Sequence, residues 1–165
     1  MILDRHIIFL GLLMGCASAC GFPSVTPTSN AAQTPFDFDR VEARMISDSM
    51  VDALIKNDRP ALISKMEKAA RNDYGQASFD GVVDMMISAY GTPIEARFKK
   101  AEQGRKWGAG DYDKPMLKHW YAVKTSKYDY ESHYIFVEIV PDEGSYASSG
   151  VAIVNFPMGV PEDMQ

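Results

Sequence analysis

Histidine is the side chain best suited to acid–base or metal chemistry near neutral pH, and the chain has only three: His6, His119 and His133. His6 lies in a leading segment that is removed with it, so the candidates reduce to His119 and His133. They are not at ligand spacing, and neither an H-E-x-x-H pattern nor a cysteine pair accompanies them, so no metal site is expected. Asp111 and Asp113 could accept calcium, but the spacing lacks the remaining oxygen ligands. Gly108-Ala109-Gly110 runs into Asp111-Tyr112-Asp113 rather than into a helix, so it reads as a loop between strands and not as a phosphate or dinucleotide cradle; no nucleophile elbow is present. No catalytic residue and no cofactor is assigned. What remains is a candidate pocket wall. His119 shares a strand face with Leu117, Tyr121 and Val123, His133 shares one with Ile135, Val137 and Ile139, and Tyr90 closes the preceding helix. Both histidines are expected to look towards the helices, as wall residues in preference to catalysts. If their two faces coincide, the connecting loop must hold an odd number of residues, Lys127-Tyr128-Asp129 being one example; an even loop would set His119 opposite Glu138.

Charge is segregated along the chain. Between Arg97 and Lys127 stand nine basic residues against three acids, while Tyr128 to the end carries seven acids and neither lysine nor arginine. The plain reading is that neighbouring strands set opposite signs side by side on the solvent face of a sheet. The sharper one is a partner surface of Arg105, Lys106, Trp107, Lys118 and Trp120, near Tyr112, that meets an acidic partner or lipid headgroups. Over the whole chain the net charge is −5, which argues against nucleic acid as the partner, since such proteins usually carry a positive surplus.

The elements that must position these residues follow from periodicity. Between Asp39 and Lys56, Ala43, Ile46, Met50, Ala53 and Leu54 recur at helical steps, with Glu42, Ser49, Asp52 and Lys56 opposite. Asn57-Asp58-Arg59-Pro60 interrupts, and Pro60 falls in the first turn of a second helix carrying Leu62, Ile63, Met66 and Ala70. A third helix is capped by Ser78, carries Phe79, Val82, Val83, Met86, Ile87 and Tyr90 on one face, and stops at Gly91-Thr92-Pro93. The period then changes to two. Ile94, Ala96 and Phe98 alternate with charged residues, a glycine-rich loop runs from Gly104 to Pro115, and further strands are expected over Met116–Ser126, Ser132–Val140 and Tyr146–Phe156. Pro141-Asp142-Glu143-Gly144 makes the last turn. This order implies an α+β domain over residues 36–156, three N-terminal helices packed on one face of a curved four-stranded antiparallel meander.

Composition agrees: 165 residues with 46% apolar and 24% charged suit one folded domain. The ends do not belong to it. The opening MILDRHIIFLGLLMGCASAC has a charged start and an apolar run from Ile7 to Met14, too short for a bilayer span of about 20 residues and suited to a secretory signal over residues 1–15. Leu13-Met14-Gly15-Cys16 resembles the bacterial lipobox, which implies lipidation, palmitate-type acylation included, at Cys16 as the first mature residue. Ala17-Ser18-Ala19 offers an ordinary signal-peptidase site, and Cys20 a second lipobox without its leucine. Ala17 is not the aspartate that retains lipoproteins in the inner membrane of many enteric-type bacteria, so the resemblance implies the periplasmic face of the outer membrane. Residues 16–35, rich in Pro, Ser, Thr and Asn, form a flexible tether reaching about 20 Å, and 157–165 form a disordered tail. No cysteine follows Cys20, so the domain contains no disulfide.

The element order over Phe36 to Phe156, the lipoprotein-like signal, and Tyr121-Ala122-Val123 facing Tyr134-Ile135-Phe136-Val137 together resemble the small bacterial lipoprotein domains of the nuclear transport factor 2-like and cystatin-like superfamily. That resemblance implies a cone-like sheet wrapped on its helices, often with a pocket at the wide end. It carries over no catalytic pattern. The resulting expectation is a cell-envelope lipoprotein, held to the membrane by its lipid, whose domain binds a protein partner or a small hydrophobic ligand, an immunity-type protein being one case. The rival is an isomerase- or dehydratase-like enzyme with a pocket around His119 and Tyr121. A third reading is a purely structural envelope component.

Overall fold

A computed structural model of the chain describes residues 36–105, 114–130 and 132–155, all within the unit Pro35–Gln165. The signal segment with Cys16 and Cys20, the tether, Lys106, Trp107, the Gly108–Asp113 stretch and the tail lie outside the described residues.

Asp39 opens α1 (Arg40–Ile55), its carboxylate accepting from the Val41 and Glu42 N–H groups at 2.9 and 3.0 Å and satisfying donors that have no partner within the helix. The buried face is the expected stripe of Ala43, Met50, Ala53 and Leu54, joined by Ser47 and Val51. Asn57, with φ 54°, takes the chain out of the helix. Asp58 then caps α2 (Arg59–Ser64), with Pro60 in the first turn. The expected second helix does not run on to Ala70. It breaks at residues 65–67, where Met66 forms a parallel bridge with Ser148 and Glu67 donates its N–H to the Ser148 carbonyl at 2.8 Å. Pairing with the sheet replaces helical hydrogen bonds there.

Ala70 belongs instead to α3 (Lys68–Tyr90), which is interrupted at Gly75 by φ 61°, ψ 164°. Ser78 is therefore inside a helical run and is not its cap. Phe79, Val83 and Met86 are buried and Ile87 and Tyr90 half-buried against the same core, but Val82 is 37% exposed and leaves the expected face. Gly91, with φ 84°, ends the helix, and a Cβ there would stand 2.8 Å from Ser126 Oγ, so both the dihedral and the space call for glycine.

The strands β1 (Pro93–Arg105), β2 (Pro115–Thr125), β3 (His133–Asp142) and β4 (Ser145–Asn155) form one antiparallel sheet in chain order. Helices followed by a four-stranded antiparallel sheet make this an α+β fold, as expected. Strand β1 is longer than its sequence pattern: it continues through Gly104, which is strand and not loop. Register shifts at Pro93/Glu95 and Phe98/Lys100 break its alternation, and Ile94 is 54% exposed. The β3–β4 turn has positive φ at Glu143 and Gly144, 47° and 87°, the handedness that matches two-residue hairpins.

On the helix side of the sheet, Leu117, Tyr121, Val123, Ile135, Val137, Ile139, Val151 and Ile153 pack with α1, Leu62 of α2 and the buried residues of α3. Each fully buried aliphatic side chain stabilises the domain by roughly 1.5–3 kcal/mol. The opposite face carries a smaller cluster of Trp120, Ala122 and Tyr134 with Tyr130, Phe136 and Val154.

Candidate functional site

The loop between β2 and β3 spans 126–132, an odd number of residues, and the register is His119 opposite Val137 and Tyr121 opposite Ile135. The two faces coincide, and both histidines look towards the helices. They do not form one site with Tyr90 and Tyr121. His119 and Tyr121 meet across the Phe98 ring, at 5.7 and 5.5 Å, whereas His133 meets Tyr128, stacked at 4.1 Å, and Tyr90 at 5.4 Å, with Nδ1 2.8 Å from Ser132 Oγ. Tyr90 reaches the same corner through its carbonyl, which accepts from Thr125 Oγ1 at 2.7 Å. Burial holds the His133 imidazole below the usual histidine range.

Around Tyr121 the site draws on α1. The Tyr121 hydroxyl lies 2.8 Å from Ser47 Oγ and 2.8 Å from Asp48 Oδ1. Its single proton goes to the carboxylate, the stronger acceptor, and the Ser47 hydroxyl is left to donate to the phenolic oxygen. Arg44 Nε donates to the same Asp48 oxygen at 2.7 Å, and its guanidinium lies over the Phe98 ring, 3.5 Å from the centroid. Burial, helped by the Asp48 hydrogen bond, pushes the Tyr121 phenol up, so it stays a donor. His119 is 2% exposed and its Nδ1 has no hydrogen-bond partner among the described residues. Burial, and secondarily the Arg44 charge, lowers its pKa to about 4, so at neutral pH it is an uncharged ring in the core. Ser47, Asp48 and Arg44 are missed by a reading confined to histidines. The signal available was Ser47 itself, a hydroxyl inside the apolar stripe between Ala43 and Met50.

The expected partner surface is divided by the fold. Trp120 is 3% exposed and donates its indole N–H to Glu102 Oε2 at 2.9 Å, so it does not project to a partner. Lys118 lies 3.0 Å from Glu138, its opposite number on β3, and over the Phe136 ring at 4.5 Å. Lys100 pairs with Glu102 at 2.7 Å, Lys124 with Asp129 at 3.4 Å and Arg97 with Glu95 at 3.2 Å. Of these pairs only Lys118–Glu138 joins neighbouring strands, as the plain reading of the charge pattern has it; Lys100–Glu102 and Arg97–Glu95 lie within β1, and Lys124 reaches Asp129 in the loop after β2. Lys106 and Trp107 lie outside the described residues. One acid is elsewhere: Glu67, fully buried at the α2–α3 joint, has Lys114 Nζ 3.6 Å from its carboxylate. Among the described residues no three metal-capable side chains gather, and no helix is long and apolar enough to cross a membrane.

No family model matches the chain, and no curated protein matches it at a significant level.

Proposed function

We propose that this chain is a cell-envelope lipoprotein, acylated at Cys16, whose domain binds a protein partner and catalyses nothing. The observation that carries the reading is how the helix-side polar groups are used. The Tyr121 hydroxyl is taken up by Ser47 and Asp48, and His119 is buried and neutral among Phe98, Tyr121 and the aliphatic core. A general acid or base must reach a substrate proton and titrate near the working pH; His119 does neither. The same packing favours a protein partner over a small hydrophobic ligand on the helix side of the sheet, where side chains of α1 and α3 pack against those of the strands. Within this reading the sheet curves around its helices in the manner of the nuclear transport factor 2-like and cystatin-like domains, and the immunity-type role is one special case.

One observation favours the isomerase- or dehydratase-like rival: Asp48 has half of its side chain exposed while bonded to Tyr121, so a carboxylate at the surface communicates with a buried phenol. Chemical crosslinking on membranes bearing the anchored chain separates the two. The binding reading expects one discrete protein adduct, weakened by salt and retained in His119→Gln. Absence of any adduct, or an adduct that requires His119, sinks it.

A further inference from the structure

The two edges of the sheet are treated differently by the rest of the chain. Along β4 the edge is met at the α2–α3 joint: Ser148 donates its N–H to the Lys65 carbonyl and accepts from the Glu67 N–H, both at 2.8 Å, and bridges Met66. Along β1, the other edge strand, no element among the described residues pairs with the outer side from Pro93 to Arg105. Such an edge is a row of amide and carbonyl groups ready to pair with an extended chain.

Charge selects which chain. Strand β1 carries Arg97, Lys99, Lys100 and Arg105 against Glu95 and Glu102, four minus two, a local charge of +2 in a molecule whose net charge is −5. Glu95 and Glu102 pair with Arg97 and Lys100, so the strand's charges are partly matched along its own length. Lys99 is exposed and lies at the register shift between Phe98 and Lys100, where β1 departs from regular pairing with β2. Ile94 adds an exposed apolar side chain near the start of the strand. A second copy would bring one basic edge against another, a mismatch that costs association, and the bulges bend the strand away from indiscriminate pairing. An acidic strand does not meet the charge mismatch, and between the two register shifts it can pair over the stretch they leave regular. We propose that the outer edge of β1 receives an extended, acidic segment of a protein partner as a fifth strand. This deepens the binding reading and rests on it.

The test uses the full chain in detergent micelles with two short synthetic peptides, one alternating threonine or valine with glutamate, the other identical but with lysine for glutamate. Amide hydrogen exchange is followed residue by residue. The glutamate peptide is expected to slow exchange across residues 94–105 by at least about tenfold, losing this effect as salt is raised, while the lysine peptide does not. The double variant Arg97→Glu with Lys99→Glu should abolish the protection at an unchanged melting temperature. Equal protection by both peptides, or none by either, overturns the proposal. Protection confined to another surface overturns the edge and leaves the binding reading standing. Concentration-dependent dimerisation that protects the same amides makes a second copy the occupant and also overturns it. The broader reading fails separately, by the absence of a crosslinked adduct on membranes.

Discussion

Tyr121 and His119 sit two residues apart on one strand face, and their fates diverge with their neighbours. A phenol needs one good acceptor, and Asp48 supplies it; an imidazole needs partners for two nitrogens, and Nδ1 of His119 has none among the described residues. The consequence is a pH dependence with a definite sign. Folded His119 binds its proton only near pH 4, whereas the unfolded residue does so near 6.5. Between these values the unfolded chain holds more protons, so stability from this group is constant above about 6.5, falls as pH drops towards 4, and levels below it. The full effect is on the order of 3 kcal/mol. His119→Gln should flatten that part of the decline, read as melting temperature against pH from 7 to 4.5, and an equally steep fall in the variant would refute the burial of a neutral ring. The inward direction of His119 was legible from strand parity alone. Its lack of a carboxylate partner among the described residues was not, because Asp48 and Arg44 arrive from a helix some seventy positions earlier in the chain.

Among the elements, α3 tests how far periodicity can be taken. Phe79, Val83 and Met86 recur at helical steps and are buried, whereas Val82 and Met85 lie on the exposed side of the same helix. Met86→Asp should therefore cost several kcal/mol by burying an unpaired charge, enough to unfold a domain of ordinary stability. Asp84→Ala removes an ion pair with Arg59, 2.7 Å long but with its acid mostly exposed, and should cost no more than about 1 kcal/mol. Comparable melting temperatures for the two variants would mean that the face is misassigned. Local pattern located these helices but misplaced their ends. The break at residues 65–67 is made by hydrogen bonds to Ser148, and the interruption at Gly75 precedes the serine that looks like a cap. Ser148 is not visible within a window of one helix, and Gly75, which is, does not show by its type alone that the helix breaks there.

At the scale of the whole molecule, anchoring and domain are separate questions with separate tests. Labelled palmitate should enter the wild-type chain and not Cys16→Ser; equal labelling of both, or of neither, removes the anchor at that residue without touching the fold. The order of helices and strands, the antiparallel meander and the inward side of β2 and β3 were all determined by sequence alone. They depend on near-neighbour physics: apolar periodicity, turn residues and the parity of a loop. Three things were decided only in three dimensions. The extension of β1 through Gly104 depends on β2 supplying partners as far as Pro115. The loss of Trp120 as a surface anchor depends on Glu102 from the neighbouring strand accepting its indole N–H. The Ser47–Asp48–Tyr121 contact joins residues more than seventy positions apart. In each case a hydrogen-bonding group is satisfied by a partner distant in sequence, and a group's burial or exposure follows from that partner, which the spacing of its own neighbours does not specify.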